Sequence, residues 1–167
     1  MHEYQALDRL YNAGAAAPRP VAVSENAILM SYHGDERMAA STLNEVSLDG
    51  DEARKLFHKA MHNVELMLRL GYVHGDLSAY DILYWQNDIT IIDFPQITSV
   101  EGNRQAYAIL QRDIERVCDY FDRQGVDCDA ETIADSFWQR YRALNANERA
   151  ADDALAAQTL FGIEDND

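Results

Sequence analysis

The chain has 167 residues, 47% of them apolar, enough for one domain with a substantial buried core. Its 14 basic side chains stand against 29 acidic ones, and the net charge of −15 disfavours direct contact with nucleic acid or an anionic membrane. No apolar run is long enough to span a bilayer, and Cys118 and Cys128 alone do not make a disulfide framework, so a cytoplasmic protein without a signal peptide is expected.

Residues 2–13 place Tyr4, Leu7, Leu10 and Tyr11 on one stripe, and Gly14 ends that helix. Pro18 and Pro20 mark an extended entry into Val21, Ala22 and Val23; the turn at 24–26 and the run 27–32 complete a hairpin. Residues 35–51 read as loop, with a short helix around 40–47. The clearest helix is 52–70, where Ala53, Leu56, Phe57, Ala60, Met61, Val64, Met67 and Leu68 recur at i, i+3, i+4 and Gly71 follows as the cap. His58 and His62 sit four apart on it, but no third ligand accompanies them, so they read as a solvated face rather than a zinc site. A helix over 103–124 turns Ala106, Leu110, Ile114, Val117, Cys118 and Phe121 inward. Asp129 is placed to cap a helix over 130–144, and a further helix is expected over 147–161. The acids at Glu164, Asp165 and Asp167 mark 162–167 as a disordered acidic tail.

Residues 73–96, VHGDLSAYDILYWQNDITIIDFPQ, carry the chemistry. The alternating DILYW, the turn-rich QND and the β-branched ITII predict a hairpin of strands 82–85 and 89–92. Folding it back brings the residue before the first strand, Asp81, beside the residue after the second, Asp93. Two carboxylates so placed repel each other unless a cation lies between them, and Mg²⁺ favours such hard oxygen ligands. Asp76, in the irregular loop ahead, is the third acid. Acids in this pattern suit phosphoryl transfer, in which one carboxylate orients a hydroxyl and others hold the metal against phosphates.

These residues resemble the catalytic and metal-binding loops of the RIO family of atypical protein kinases, whose pattern is H-x-D-L-S-x-Y-N followed by I-D-x-x-Q. EYQALDRLYNAGAAAPRPV resembles the family's helix C and the strand entry after it, AILMSYHGDE its hinge strand, and LQRDIERVCDYF the helix after the metal loop. The resemblance covers about residues 1–125. A bare H-G-D-L with a later I-D-F also fits aminoglycoside-type small-molecule kinases; LSAY and the Pro95-Gln96 ending favour RIO.

The resemblance implies an α+β fold: a protein-kinase-like C-terminal lobe over 35–161, mostly helical with short β-hairpins, and a partial N-lobe of helix C and hinge strands over 1–34. It implies ATP and Mg²⁺ as ligands. Asp76 becomes the catalytic-loop acid, and Asp93 a Mg²⁺ ligand that in some members is proposed to accept phosphate itself. Asp81 stands where the family has a metal-binding Asn. Met30, Ser31, Tyr32 and His33 form the hinge that meets adenine, and Glu3 is the ion-pairing acid of helix C. His74 bonds the loop backbone, with Ser78 and Tyr80 supporting the loop. Arg112 and Asp113 either brace the lobe, as in the family, or form a surface ion pair worth under about 1 kcal/mol.

Two departures bear on activity. Asp81 in place of Asn keeps an oxygen donor but adds negative charge beside the triphosphate. The chain opens at the expected helix C, so the glycine-rich phosphate loop and the strand lysine are expected to be missing; its two lysines, Lys55 and Lys59, lie on the 52–70 helix. The expected function is therefore an ATP-dependent serine/threonine kinase or ATPase, acting on an unidentified protein substrate for which the chain itself is one candidate, with an upstream N-lobe piece as a candidate partner. A degenerate non-catalytic module and a small-molecule phosphotransferase are the alternatives.

Overall fold

The computed structural model describes residues 2–161, apart from the side chains at 149 and 152–161. The tail expected over 162–167 lies outside the described residues. The architecture is α+β, with four α-helices and three small antiparallel sheets among the described residues.

Helix α1 (His2–Asn12) buries Leu7 and Leu10 of the expected stripe together with Ala6, while Tyr4 is half-buried and Tyr11 is exposed. Strands β1 (Pro20–Val23) and β2 (Ile28–Met30) then pair in the expected hairpin. Helix α2 (Gly50–Arg69) starts two residues before the expected position because the Asp49 carboxylate caps it, accepting from the amides of Asp51 and Glu52 at 3.1 and 2.9 Å. All eight of its predicted core positions are buried. The polar exception is Asn63: its carbonyl oxygen accepts from Ala16 N at 2.6 Å and its amide donates to Lys59 O at 2.8 Å. That side chain ties the segment after α1 to the central helix. His58 and His62 are both exposed, as a solvated face requires.

After β4 (Tyr72–Val73), strands β5 (Ile82–Trp85) and β6 (Asp88–Ile91) form the central hairpin, in register Ile82↔Ile91 and Trp85↔Asp88. The short helix expected near 40–47 is instead strand β3 (Ser41–Thr42) followed by a 3₁₀ turn, Leu43–Glu45. β3 adds to the free edge of β5, opposite Tyr84 and Leu83, where ladder hydrogen bonds outweigh the local helical preference. Strand β7 (Thr98–Ser99) pairs back with β4.

Helix α3 (Ala106–Arg123) begins later than predicted because residues 103–105 make a turn, Asn103 Oδ1 accepting from Gln105 N at 2.9 Å. It packs on α2 through an edge-on contact of Phe57 with Phe121, ring centres 5.4 Å apart. The two helices expected over 130–144 and 147–161 are one, α4 (Ala130–Phe161), since neither proline nor glycine interrupts that stretch. Asp129 caps it through Thr132 N at 3.1 Å, and Arg140 anchors it to Glu65 of α2 at 2.6 Å.

Tyr120 and Cys118 make the fold sensitive to alkali. Burial pushes the Tyr120 hydroxyl, which donates to Val46 O at 2.7 Å, up to about 12. Burial, reinforced by the neighbouring Cys128 thiol, raises Cys118 from 9.0 to about 12. Both groups keep a proton in the folded chain that the unfolded chain releases. Their contribution is therefore complete below the unfolded values and declines as pH rises through the folded ones. Urea midpoints should fall between pH ~9 and ~12, and Tyr120→Phe together with Cys118→Ala should flatten that decline. An unchanged slope in the double variant would contradict the assignment.

Candidate active site

The loop from β4 to β5 is built on a buried histidine. His74 Nε2–H donates to the carbonyl of Ile92 at 2.9 Å, and its ring lies 5.0 Å from that of Phe94. A carbonyl only accepts, so Nδ1 is the acceptor, facing the amide of Asp76 at 3.4 Å. This contact joins the loop before the hairpin to the strand after it. The backbone role expected of His74 is present.

Gly75 adopts φ of +93°, and a Cβ there would meet the carbonyl oxygen of Gln96 at 2.3 Å. Only glycine fits. Gly75→Ala should lower stability by roughly 2–4 kcal/mol, from left-handed strain plus a backbone clash. A melting temperature within two degrees of the parent would show that the loop relaxes freely.

Asp113 of α3 reaches under the loop, its two carboxylate oxygens accepting from Gly75 N at 2.8 Å and Leu77 N at 3.2 Å. Its side chain is 2% exposed, and burial raises its carboxyl above the ordinary aspartate range against those bonds. Arg112 lies 3.6 Å from it and donates to the Gly75 carbonyl. Bracing, not a surface ion pair, describes this couple. Sequence reasoning missed its neighbour Arg116, whose guanidinium sits 2.6 Å from Asp76. The signal was available: Arg116 stands four residues after Arg112, on the same face of α3.

Ser78 opens a 3₁₀ turn (Ala79–Asp81): its hydroxyl accepts from Tyr80 N at 3.2 Å and donates to Asp81 Oδ2 at 2.7 Å. The support expected of Tyr80 comes from its amide alone, because the ring is turned to solvent. Ile92 N donates to Asp81 O at 2.8 Å, so the chain leaving β6 returns alongside the residue entering β5. Asp93 follows at once, exposed and at φ of +64°. Burial pushes the Asp81 carboxyl up; Ser78 and His74 pull it back, and the charges of Asp93 and Asp76 raise it further. The charges of Asp93 and Asp76 thus both reach Asp81, at the end of the hairpin opposite its turn.

The other predicted residues are spread more widely. Met30 ends β2 opposite Pro20. Ser31 is bound to Arg19 twice, its amide donating to the carbonyl and its hydroxyl accepting from the amide, both at 2.9 Å. Tyr32 is exposed, and its hydroxyl donates to Asp35 O at 3.2 Å. The His33 carbonyl accepts from Ala40 N, while its buried Nε2 has no hydrogen-bond partner among the described residues, beside a cavity of about 320 Å³ lined by Leu83, Trp85 and Thr90. Glu3 lies in the first turn of α1 and makes no ion pair among the described residues. Lys59 is paired with Asp88 at the far end of the hairpin, away from the acids.

Comparison with known proteins decides the family. A family model described as a RIO domain matches residues 1–133. The chain belongs to the RIO family. It is 32% identical over 132 residues to the RIO-type serine/threonine-protein kinase Rio1 of Haloferax volcanii, covering 78% of this chain and 44% of that protein. Against the serine/threonine-protein kinase RIO1 of Chaetomium thermophilum it is 35% identical over 136 residues, covering 75% and 26%. Against the RIO-type serine/threonine-protein kinase Rio2 of Methanocaldococcus jannaschii it is 33% identical over 132 residues, covering 78% and 48%. The chain therefore spans less than half the length of these three relatives. The RIO match runs a few residues beyond the 1–125 read from motifs, into α4. Among the described residues, no helix is long and apolar enough to cross a membrane.

Proposed function

We propose that this RIO chain supplies the catalytic acids of a Mg²⁺- and ATP-dependent serine/threonine kinase or ATPase. In this reading residues 35–161 are the kinase-like larger lobe, and residues 1–34 contribute a helix C and hinge hairpin to the smaller one. One observation carries it: Ile92 N donates to Asp81 O at 2.8 Å, with Asp93 next in the chain, beside a loop held by His74 and Asp113.

The donor set fits Mg²⁺. Among the described residues Asp81 and Asp93 have no ion-pair partner, and Arg116 offsets only Asp76. No group of three metal-ligating side chains is present among them, so a cage made of protein alone is absent. Mg²⁺ does not need one, since it is usually held by one or two carboxylates with water and phosphate oxygens completing its shell. When bound, the ion offsets the charge of the phosphates during transfer.

The chain's own residues do the rest. Asp81 and Asp93 supply the carboxylate oxygens, and Ser78 orients Asp81 through its hydroxyl. Asp76 accepts a hydrogen bond from the attacking serine hydroxyl or water and takes its proton as the oxygen moves in line on the γ-phosphorus. Met30 to His33 would supply the hinge for the adenine, Glu3 belongs to helix C, and the chain itself is one candidate for the protein substrate. The net charge of −15 argues against direct nucleic-acid binding.

A second reading, a binding module without turnover, draws on one feature. The two lysines of this chain lie on α2, and Lys59 is already paired. Both lysines act on Asp88 at the far end of the hairpin rather than at the acids, so turnover calls for an upstream N-lobe piece as partner. Calorimetry of ATP with Mg²⁺, repeated in EDTA, followed by assay of ADP release, tests both. Metal-dependent heat with ADP release supports the kinase or ATPase; heat without release supports the binding module. Identical traces with and without chelator would remove the metal assignment.

A further inference from the structure

We infer that a second site, sharing no residue with the acidic loop, binds an acidic, aromatic-bearing peptide segment of a protein partner. It is a half-open groove of about 1210 Å³ between the start of α1, the β4–β7 ribbon, the turn at 100–104 and one face of α4. Arg9, Arg104 and Arg142 line it. None of the three is ion-paired among the described residues, although acids outnumber bases by 29 to 14 and five ion pairs form elsewhere. Glu101 and Glu148 also line the groove and leave its formal charge at one positive unit in a strongly negative chain.

The aromatic residues are arranged for contact. Trp138 and Tyr141 are half-buried on the groove face of α4, ring centres 5.7 Å apart, and Arg142 follows on the same turn. Arg9 lies over the ring of Tyr72, 5.5 Å from its centre, so its guanidinium is held in place rather than free in solvent. Arginine and tryptophan in a shared concavity are the residue types that anchor protein interfaces. The groove exceeds the usual small-ligand cavity of roughly 300–1,000 Å³ and suits an extended segment. Its occupant must be short. Screening confines the arginines' reach to about 8 Å at physiological salt, so a peptide lying within the groove meets them, whereas a longer polyanion runs on over the acidic surface.

The test is fluorescence anisotropy with a fluorescein-labelled peptide of repeating Glu-Glu-Glu-Tyr. Wild type is expected to bind it, and replacing its Glu by Gln should weaken binding at least about tenfold. Arg104→Glu with Arg142→Glu should do the same, while Arg37→Glu with Arg123→Glu, an equal charge change elsewhere, should weaken it less than about twofold. Amide shifts of the wild-type chain on adding the peptide should concentrate at Arg104, Trp138 and Tyr141, a readout that needs no variant to fold. Equal loss in the two double variants, shifts outside the groove, no binding, or tighter binding of single-stranded RNA of matching length would overturn the inference.

Discussion

Asp113→Ala is expected to lower the melting temperature by roughly 6–12 °C, the equivalent of about 3 kcal/mol in a domain of this size. The substitution removes the acceptor for two loop amides, Gly75 and Leu77, at a position where water does not replace it. Each stranded amide costs about 1–3 kcal/mol. The strain of burying a carboxylate offsets part of that, since burial already raises the Asp113 carboxyl. Asp113→Asn should fall between, because an amide oxygen satisfies one N–H while its NH₂ faces the other. Hydrogen exchange at Gly75 and Leu77 should quicken in the alanine variant before the rest of the chain responds. A shift under about 2 °C with unchanged exchange would mean that α3 does not hold the loop.

Asp93 carries the second large effect, and its backbone dictates how to measure it. At φ of +64° the residue occupies the left-handed region, which Asn and Asp tolerate far better than Ala. Asp93→Ala therefore mixes loss of a carboxylate with roughly 1 kcal/mol of backbone strain. Asp93→Asn separates them, removing charge while keeping the turn. Metal-dependent ATP binding should drop at least about tenfold in both, whereas only the alanine variant should melt earlier. Asp81→Asn, which retains an oxygen and matches the family pattern, is the comparison and should keep its binding. Full affinity in Asp93→Asn would show that the carboxylate is not a ligand.

Where the sequence was easy to read, one local force dominated. The α2 stripe follows from burial periodicity alone, and the β5–β6 hairpin from a turn-rich QND between the alternating DILYW and the β-branched ITII. The juxtaposition of Asp81 with Asp93 then follows from strand pairing. Legibility failed where distant partners decide. β3 exists because β5 offers an unpaired edge, which the composition of 40–47 does not reveal. The continuity of α4 follows from the lack of Gly and Pro across 130–161, where two helices were expected. Asn63 was not singled out, since its burial depends on the Ala16 amide, 47 residues earlier. Arg116 was passed over because its partner, Asp76, meets it only after the loop has folded onto α3.

Mn²⁺ in place of Mg²⁺, titrated into the isotope-labelled chain with ATP present, puts the metal assignment to its most direct test. Paramagnetic broadening should erase the amide signals of Asp81 and Asp93 first, then Asp76 and Ser78, while α4 and the β1–β2 hairpin stay sharp. Broadening spread evenly over the acidic surface, or centred anywhere else, would contradict a cation held at the base of this hairpin.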